Sequence, residues 1–143
     1  MNRIQKISWL MVISIGTAVI LSTVSIVLLH SRFGFPRAWA GLSFLALAGI
    51  GGLGPLFFRN NPGPVQTDER DQQILLKAAR AGFAMSYLLV GILCMGIWEW
   101  YKHKNAETIS IEVLPMIWMG AALTAFFIHA LAILILYGKG GDA

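Results

Sequence analysis

The stretch from Thr67 to Tyr101, TDERDQQILLKAARAGFAMSYLLVGILCMGIWEWY, constrains the fold more than any other part of the chain. It opens with a charged D-E-R-D cluster, turns apolar after Arg80 and contains no proline. Read as one helix from Asp68 to Tyr101, it would be about 51 Å long at about 1.5 Å per residue. Because the hydrocarbon core of a bilayer is only about 30 Å thick, roughly the first third of this helix must stand in water or headgroups.

The composition is typical of a membrane protein. Of the 143 residues, 57% are hydrophobic and 13% are charged, whereas soluble domains carry about 25% charged residues. The single cysteine, Cys94, excludes an internal disulfide and any cysteine-pair redox or zinc motif. Since no basic patch lies in a region large enough to fold in water, we expect no direct nucleic-acid binding.

Four apolar segments are long enough to cross a bilayer, so we predict an all-α integral membrane protein with one transmembrane domain covering residues 1–143. We expect a four-helix up-down bundle whose third helix extends into the cytoplasm. The first segment is too long for a signal-peptide core and lacks a cleavage site, which indicates a retained helix. The predicted spans are about 7–29, 36–58, 80–101 and 115–137, with a loop and helix start at 59–79.

Two turn signals separate the first three spans. Gly34 allows a tight bend and Pro36 suits the first turn of the second helix. The P-G-P sequence at 62–64 breaks both helices and strands.

The distribution of Lys and Arg predicts the orientation. With the N-terminus inside, seven of the 11 Lys and Arg residues fall on the inner side and four on the outer side. The positive-inside rule therefore places both termini and the D-E-R-D segment in the cytoplasm, in a multi-pass protein of the cytoplasmic (inner) membrane.

Small residues form stripes on the spans, and in a bilayer small residues mark helix contacts. The second span is rich in glycine near its inner end, with Gly49, Gly51, Gly52 and Gly54. The other stripes are Ser14, Ala18, Ser22 and Ser25 in the first span, Ala78, Gly82, Ser86 and Gly96 in the third, and Ala121, Ala125, His129 and Ala132 in the fourth.

His129 is the one strongly ionisable residue well inside a span. At about 1.5 Å per residue, Ser14 and Ser86 lie at the same depth in the membrane as His129. We therefore expect a neutral His129 that hydrogen-bonds to one of these serines. Intramembrane ionisable residues are functional candidates, although a satisfied core histidine is the commoner case.

The D-E-R-D cluster is the second candidate site and comprises Asp68, Glu69, Arg70 and Asp71. A helical projection places Asp68 and Asp71 on the side of the small-residue stripe, facing the mouth of the bundle. These acids complement the helix dipole, and Thr67 or Asp68 supplies the N-cap. The structural interpretation is capping plus an ion pair to Arg3, Lys6 or Arg59, and the functional interpretation is a docking surface for a cytoplasmic protein.

Headgroup anchors are predicted at both ends of the third span. Lys77 and Arg80 suit one interface because long cationic side chains reach out to headgroups. An aromatic girdle marks the other interface and consists of Trp98, Trp100 and Tyr101.

No cofactor, metal site or catalytic residue is predicted. A bis-histidine haem fails because His129 has no partner at its depth. The remaining His and Glu residues on the outer side match no metal-ligand spacing; they are His30, His103, Glu99, Glu107 and Glu112.

The motif V-x-x-D-E-R-D-x-x-I-x-x-K-A, here Val65 to Ala78, followed by two apolar spans, resembles an uncharacterised family of small bacterial and archaeal membrane proteins. In that family a D-E-R-D-type motif precedes the third of four helices. Members are suspected of acting with small helix-turn-helix regulators, and no activity is established. The resemblance implies the same topology and an important motif.

Three functions are open at this point. The first is a non-enzymatic regulatory or interaction protein that acts through the D-E-R-D helix, alone or as a homo-oligomer. The second is a small transporter or channel subunit that uses His129 as its intramembrane polar site. The third, ranked lowest, is a lipid-acting membrane enzyme that uses Asp68, Glu69 and Asp71.

Overall fold

A computed structural model describes residues 3–34, 37–58, 69–104, 108, 110–111 and 113–139. This part of the chain forms α-helices and one 3-10 helix. Predicted features at Pro36, in the loop 59–68 and at Glu107 and Glu112 lie outside the described residues. The helices are α1 (Arg3–Phe33), a 3-10 helix (Arg37–Ala48), α2 (Gly49–Gly52), α3 (Gly54–Phe57), α4 (Glu69–His103) and α5 (Val113–Lys139).

Three helices, α1, α4 and α5, are long and apolar enough to cross a membrane. They contain the predicted first, third and fourth spans, so the all-α fold is confirmed. The helix α4 begins at Glu69 and continues without interruption to His103, as the long third helix requires. The membrane-type character is also visible on the surface, where large apolar side chains such as Ile20, Phe83 and Ile92 are more than 60% exposed.

The first connection is built on Gly34. Its backbone has a φ of 67°, the left-handed conformation that glycine adopts at no steric cost. The Gly34 N–H donates to the His30 carbonyl at 3.0 Å, which closes the C-terminal end of α1 in a common helix-capping arrangement. The predicted tight bend at Gly34 is therefore confirmed.

The second predicted span is not one continuous helix, and this is a correction. Residues 37–57 divide into the 3-10 helix, α2 and α3, with Leu53 in a turn between the last two. Side chains three residues apart share one edge of a 3-10 helix, and the buried residues of this one, Ala38 and Gly41, have that spacing. We call residues 37–57 the segmented span.

The segmented span packs closely along α1 through three of its glycines. A Cβ added to Gly41 would lie 2.8 Å from the backbone nitrogen of Ile26, and one added to Gly54 would lie 3.0 Å from Cγ2 of Ile7. A Cβ added to Gly51 would lie 2.6 Å from the Ser14 hydroxyl. The two elements therefore run antiparallel, with small residues at the closest approaches.

The helices α4 and α5 form an antiparallel hairpin. A Cβ added to Gly82 would lie 2.5 Å from the Ala125 carbonyl oxygen and 3.2 Å from Cβ of His129. Ile74 and Ala78 continue the buried face of α4 toward its N-terminus. This hairpin joins the first one through contacts between α1 and α5.

The described helices thus lie in the order segmented span, α1, α5, α4, since α4 packs extensively only against α5. A four-helix up-down bundle is not confirmed. The predicted small-residue faces are buried in part, at Ser14, Ala18 and Ser22 in α1 and at Ala78 and Gly82 in α4. The predicted stripe of α5 is half-buried; it consists of Ala121, Ala125, His129 and Ala132. Gly96 is exposed, and a Cβ added to it would meet nothing within 4 Å, so it lies outside the close contacts between the described helices.

Candidate functional site at the start of α4

The start of α4 is tied to the end of α5 by one side-chain hydrogen bond. The Tyr137 hydroxyl donates to Oδ1 of Asp71 at 2.5 Å. Asp71 lies in the first turn of α4, where its negative charge also complements the helix dipole. Both side chains are partly buried. Asp71 therefore faces α5, on the side of α4 that carries the small-residue stripe, and Asp68 lies outside the described residues.

The partner of Asp71 differs from those expected. The sequence suggested an ion pair with Arg3, Lys6 or Arg59, but the structure places Tyr137 against the carboxylate. The Arg3 guanidinium instead donates to the Pro55 carbonyl of α3 at 3.2 Å, and Arg59 lies outside the described residues. Arg3 therefore satisfies a backbone carbonyl of the short helix α3.

The opposite side of α4 faces outward. Its side chains are exposed from the first turn through the third, although Ile74 and Ala78 on the inner side are buried. We call this surface the charged face of α4; it consists of Glu69, Gln73, Lys77 and Arg80. Arg70 is also exposed. The motif therefore has two sides, with Asp71 in a helix contact and Glu69 on an accessible surface.

We expect Tyr137→Phe to lower the free energy of unfolding by about 1 kcal/mol, because it leaves the Asp71 carboxylate without its donor. Unfolding in mixed micelles of dodecylmaltoside and sodium dodecyl sulfate, followed by circular dichroism, measures this change. Tyr87→Phe is the matched control, since Tyr87 is 73% exposed on α4 and should tolerate the change.

An equal loss of stability for Tyr137→Phe in the wild type and in an Asp71→Ala background would contradict the hydrogen bond. We expect Tyr137→Phe to change stability little in the Asp71→Ala background, because that background already lacks the acceptor.

His129 lies in the α4–α5 contact, beside Gly82. The expected hydrogen bond to Ser14 or Ser86 is not formed among the described residues, which is a second correction. The Ser86 hydroxyl donates to the Phe83 carbonyl at 2.8 Å, and the Ser14 hydroxyl donates to the Met11 carbonyl at 3.1 Å. Serines in helices commonly bond to their own backbone in this way. Ser14 also faces Gly51 of the segmented span, so it serves a different interface.

Two apolar crevices lie beside α1 and share Ile15 and Leu123. One, of about 340 Å³, lies between α1 and α5, and the other, of about 480 Å³, also borders α2. His129 lines neither of them.

The predicted headgroup anchors are placed at the two ends of α4. Lys77 and Arg80 are exposed near its start, and Trp98 and Trp100 are exposed near its end. Tyr101 is half-buried. The lysines that follow the tryptophans, Lys102 and Lys104, fold back over the indole rings, an arrangement that the sequence did not predict.

Within the ranges that the structure describes, no three His, Cys, Asp or Glu side chains come together to hold a metal ion. His30, Glu99 and His103 belong to those ranges. Comparison of the chain with protein-family models, with curated proteins and with solved structures finds no match. The resemblance to the D-E-R-D family therefore stays a prediction.

Proposed function

We propose that this chain is a non-enzymatic membrane protein that binds a cytoplasmic protein through the charged face of α4. The observation that carries the proposal is the division of the D-E-R-D segment into two sides. Tyr137 holds Asp71 against α5, while Glu69, Gln73 and Lys77 remain exposed. Because α5 holds the inner side of α4, the charged face is already ordered. It can bind a partner without the loss of entropy that ordering a free segment would cost.

The proposed membrane placement is supported by the length of the helices. The segmented span has a 3-10 helix that rises about 2.0 Å per residue, so residues 37–57 extend about 36 Å and could serve as a fourth span across a core about 30 Å thick. We propose that both termini and the start of α4 lie in the cytoplasm, as the Lys and Arg distribution favours.

The charged face also supports a protein partner by its chemistry. An acid, an amide and two cations lie along three turns of one helix face, at 69, 73, 77 and 80. A surface with acidic and basic residues at fixed positions favours a partner whose charges are opposite at the facing positions. A partner with like charges at those positions is repelled. A membrane surface would favour cations alone. The acidic residue Glu69 therefore favours a protein partner over a membrane surface.

We expect a photo-crosslinking amino acid at Gln73 to yield one discrete protein adduct in cells. The charge reversals Glu69→Lys and Lys77→Glu should each reduce this adduct at least tenfold, since like-charge juxtaposition at an interface costs several kcal/mol and about 1.4 kcal/mol is tenfold. Adduct formation is measured by immunoblotting, and the partner is identified by mass spectrometry. The probe at Phe83 is the control, because Phe83 is 73% exposed on the apolar part of the same helix.

The proposal fails if the probe at Gln73 yields only lipid adducts, or an adduct that persists through both charge reversals. An adduct with a second copy of this chain would also contradict it, since the partner would then be a homo-oligomer.

A further inference from the structure

The C-terminal end of α4 carries two matched pairs of a lysine and a tryptophan. The Lys102 ammonium lies 4.9 Å from the centre of the Trp98 ring, and the Lys104 ammonium lies 4.8 Å from the centre of the Trp100 ring. These distances are within the range of cation–π attraction. The two tryptophans are 51% and 62% exposed, so both pairs lie on the surface of the molecule.

From this arrangement we infer that each pair binds the phosphate of a membrane phospholipid, with a preference for anionic lipids. A lysine ammonium has three donor hydrogens, so an ammonium over a ring retains donors for a phosphate oxygen. Tryptophan partitions to the headgroup level of a bilayer, and basic residues at that level attract anionic lipids. The ring therefore holds the ammonium at the depth where lipid phosphates lie.

The two pairs occupy different sides of the helix. Trp98 and Trp100 are two residues apart, which separates them by about 200° around a helix of 3.6 residues per turn. Each lysine lies four residues after its tryptophan and so stays on the same side. Glu99, which is exposed between the pairs, opposes an anion on its own side, so we assign one lipid to each pair and none to the face of Glu99.

The position of the pairs along α4 agrees with this assignment. From Arg80 to Trp100 the helix rises about 30 Å, which equals the thickness of the hydrocarbon core. Cations at Lys77 and Arg80 and the Lys–Trp pairs would therefore lie at opposite headgroup layers. Binding of lipid at the Lys–Trp pairs would fix the depth of α4, and hence how far its charged face stands out of the membrane.

The test is native mass spectrometry of the full chain in detergent, titrated with phosphatidylglycerol or phosphatidylcholine. We expect the wild type to retain two molecules of phosphatidylglycerol and to prefer this lipid over phosphatidylcholine. Lys102→Gln/Lys104→Gln should weaken the binding of phosphatidylglycerol about fivefold at each of the two sites. Lys102→Arg/Lys104→Arg should retain binding, because arginine also stacks on aromatic rings.

Two further variants distinguish lipid binding at the Lys–Trp pairs from a general attraction of lipid to the net positive charge of the protein. Trp98→Leu/Trp100→Leu keeps both lysines and should weaken binding as well, since it removes the rings that hold them. Lys6→Gln/Arg32→Gln removes the same charge from exposed cations elsewhere and should leave binding unchanged. Equal weakening by the two charge-removing variants, or unchanged binding after loss of the tryptophans, would overturn the inference. Circular dichroism checks that every variant folds.

Discussion

Gly82→Ala is expected to lower the free energy of unfolding by about 2 kcal/mol, because the added methyl group meets the backbone of α5. The new Cβ would lie 2.5 Å from the Ala125 carbonyl oxygen and 3.3 Å from the backbone nitrogen of His129. Because backbone atoms of α5 cannot rotate away, the two helices must separate, and overpacking of this kind costs about 1–3 kcal/mol. Unfolding in mixed micelles, followed by circular dichroism, measures the loss.

Gly91→Ala is the matched control on the same helix. A Cβ at Gly91 meets no atom within 4 Å, and alanine is a better helix former than glycine by about 1 kcal/mol. We expect this variant to be as stable as the wild type or more stable. If Gly82→Ala and Gly91→Ala changed stability equally, the close contact between α4 and α5 would be refuted.

Gly41→Ala is expected to separate α1 from the segmented span, with a loss of about 2 kcal/mol. Its added Cβ would lie 2.8 Å from the Ile26 nitrogen and 3.1 Å from the Ser25 carbonyl carbon. A disulfide-crosslinking pair at the other end of the interface between α1 and the segmented span gives a measurement besides unfolding, in a Cys94→Ser background. We expect the rate of crosslinking between Ile7→Cys and Gly54→Cys to fall in the Gly41→Ala variant.

Gly49 provides the comparison within the same span, since a Cβ there meets nothing within 4 Å. Gly49→Ala should leave both stability and crosslinking near the wild-type values. A loss in Gly49→Ala as large as that in Gly41→Ala would mean that the segmented span needs glycine for its backbone rather than for contact with α1.

The apolar runs predict α1, α4 and α5 well, because length and the absence of charge decide whether a helix suits a bilayer. The segmented span was harder to predict. Its run from Ala38 to Phe57 also contains no charged residue, and hydropathy does not distinguish a 3-10 helix from an α-helix. The three-residue spacing of the buried residues Ala38 and Gly41 agrees with a 3-10 helix. This spacing can be recognised only once the packing of α1 shows which residues are buried.

The sequence predicted which side of α4 each residue of the candidate site lies on, but it did not predict the hydrogen-bond partner of Asp71. The helical period placed Asp71 on the inner side of α4 and Glu69 on the outer side, because side-chain direction follows from residue number alone. Tyr137 could have been found from an antiparallel pairing of the last two spans, which places the end of α5 beside the start of α4. The histidine prediction was wrong because equal depth on neighbouring helices does not bring two side chains into contact, and Ser86 donates to the Phe83 carbonyl of its own helix. Ser14 contacts the segmented span, while His129 contacts α4.

The central claim is that α4 crosses the membrane with its charged face in the cytoplasm. Single cysteines in a Cys94→Ser background, labelled with a membrane-impermeant maleimide in sealed vesicles of known orientation, test it directly. The account predicts that Gln73→Cys is labelled only in inside-out vesicles, Lys104→Cys only in right-side-out vesicles, and Ile92→Cys in neither. Labelling of Gln73→Cys and Lys104→Cys from the same side would contradict it.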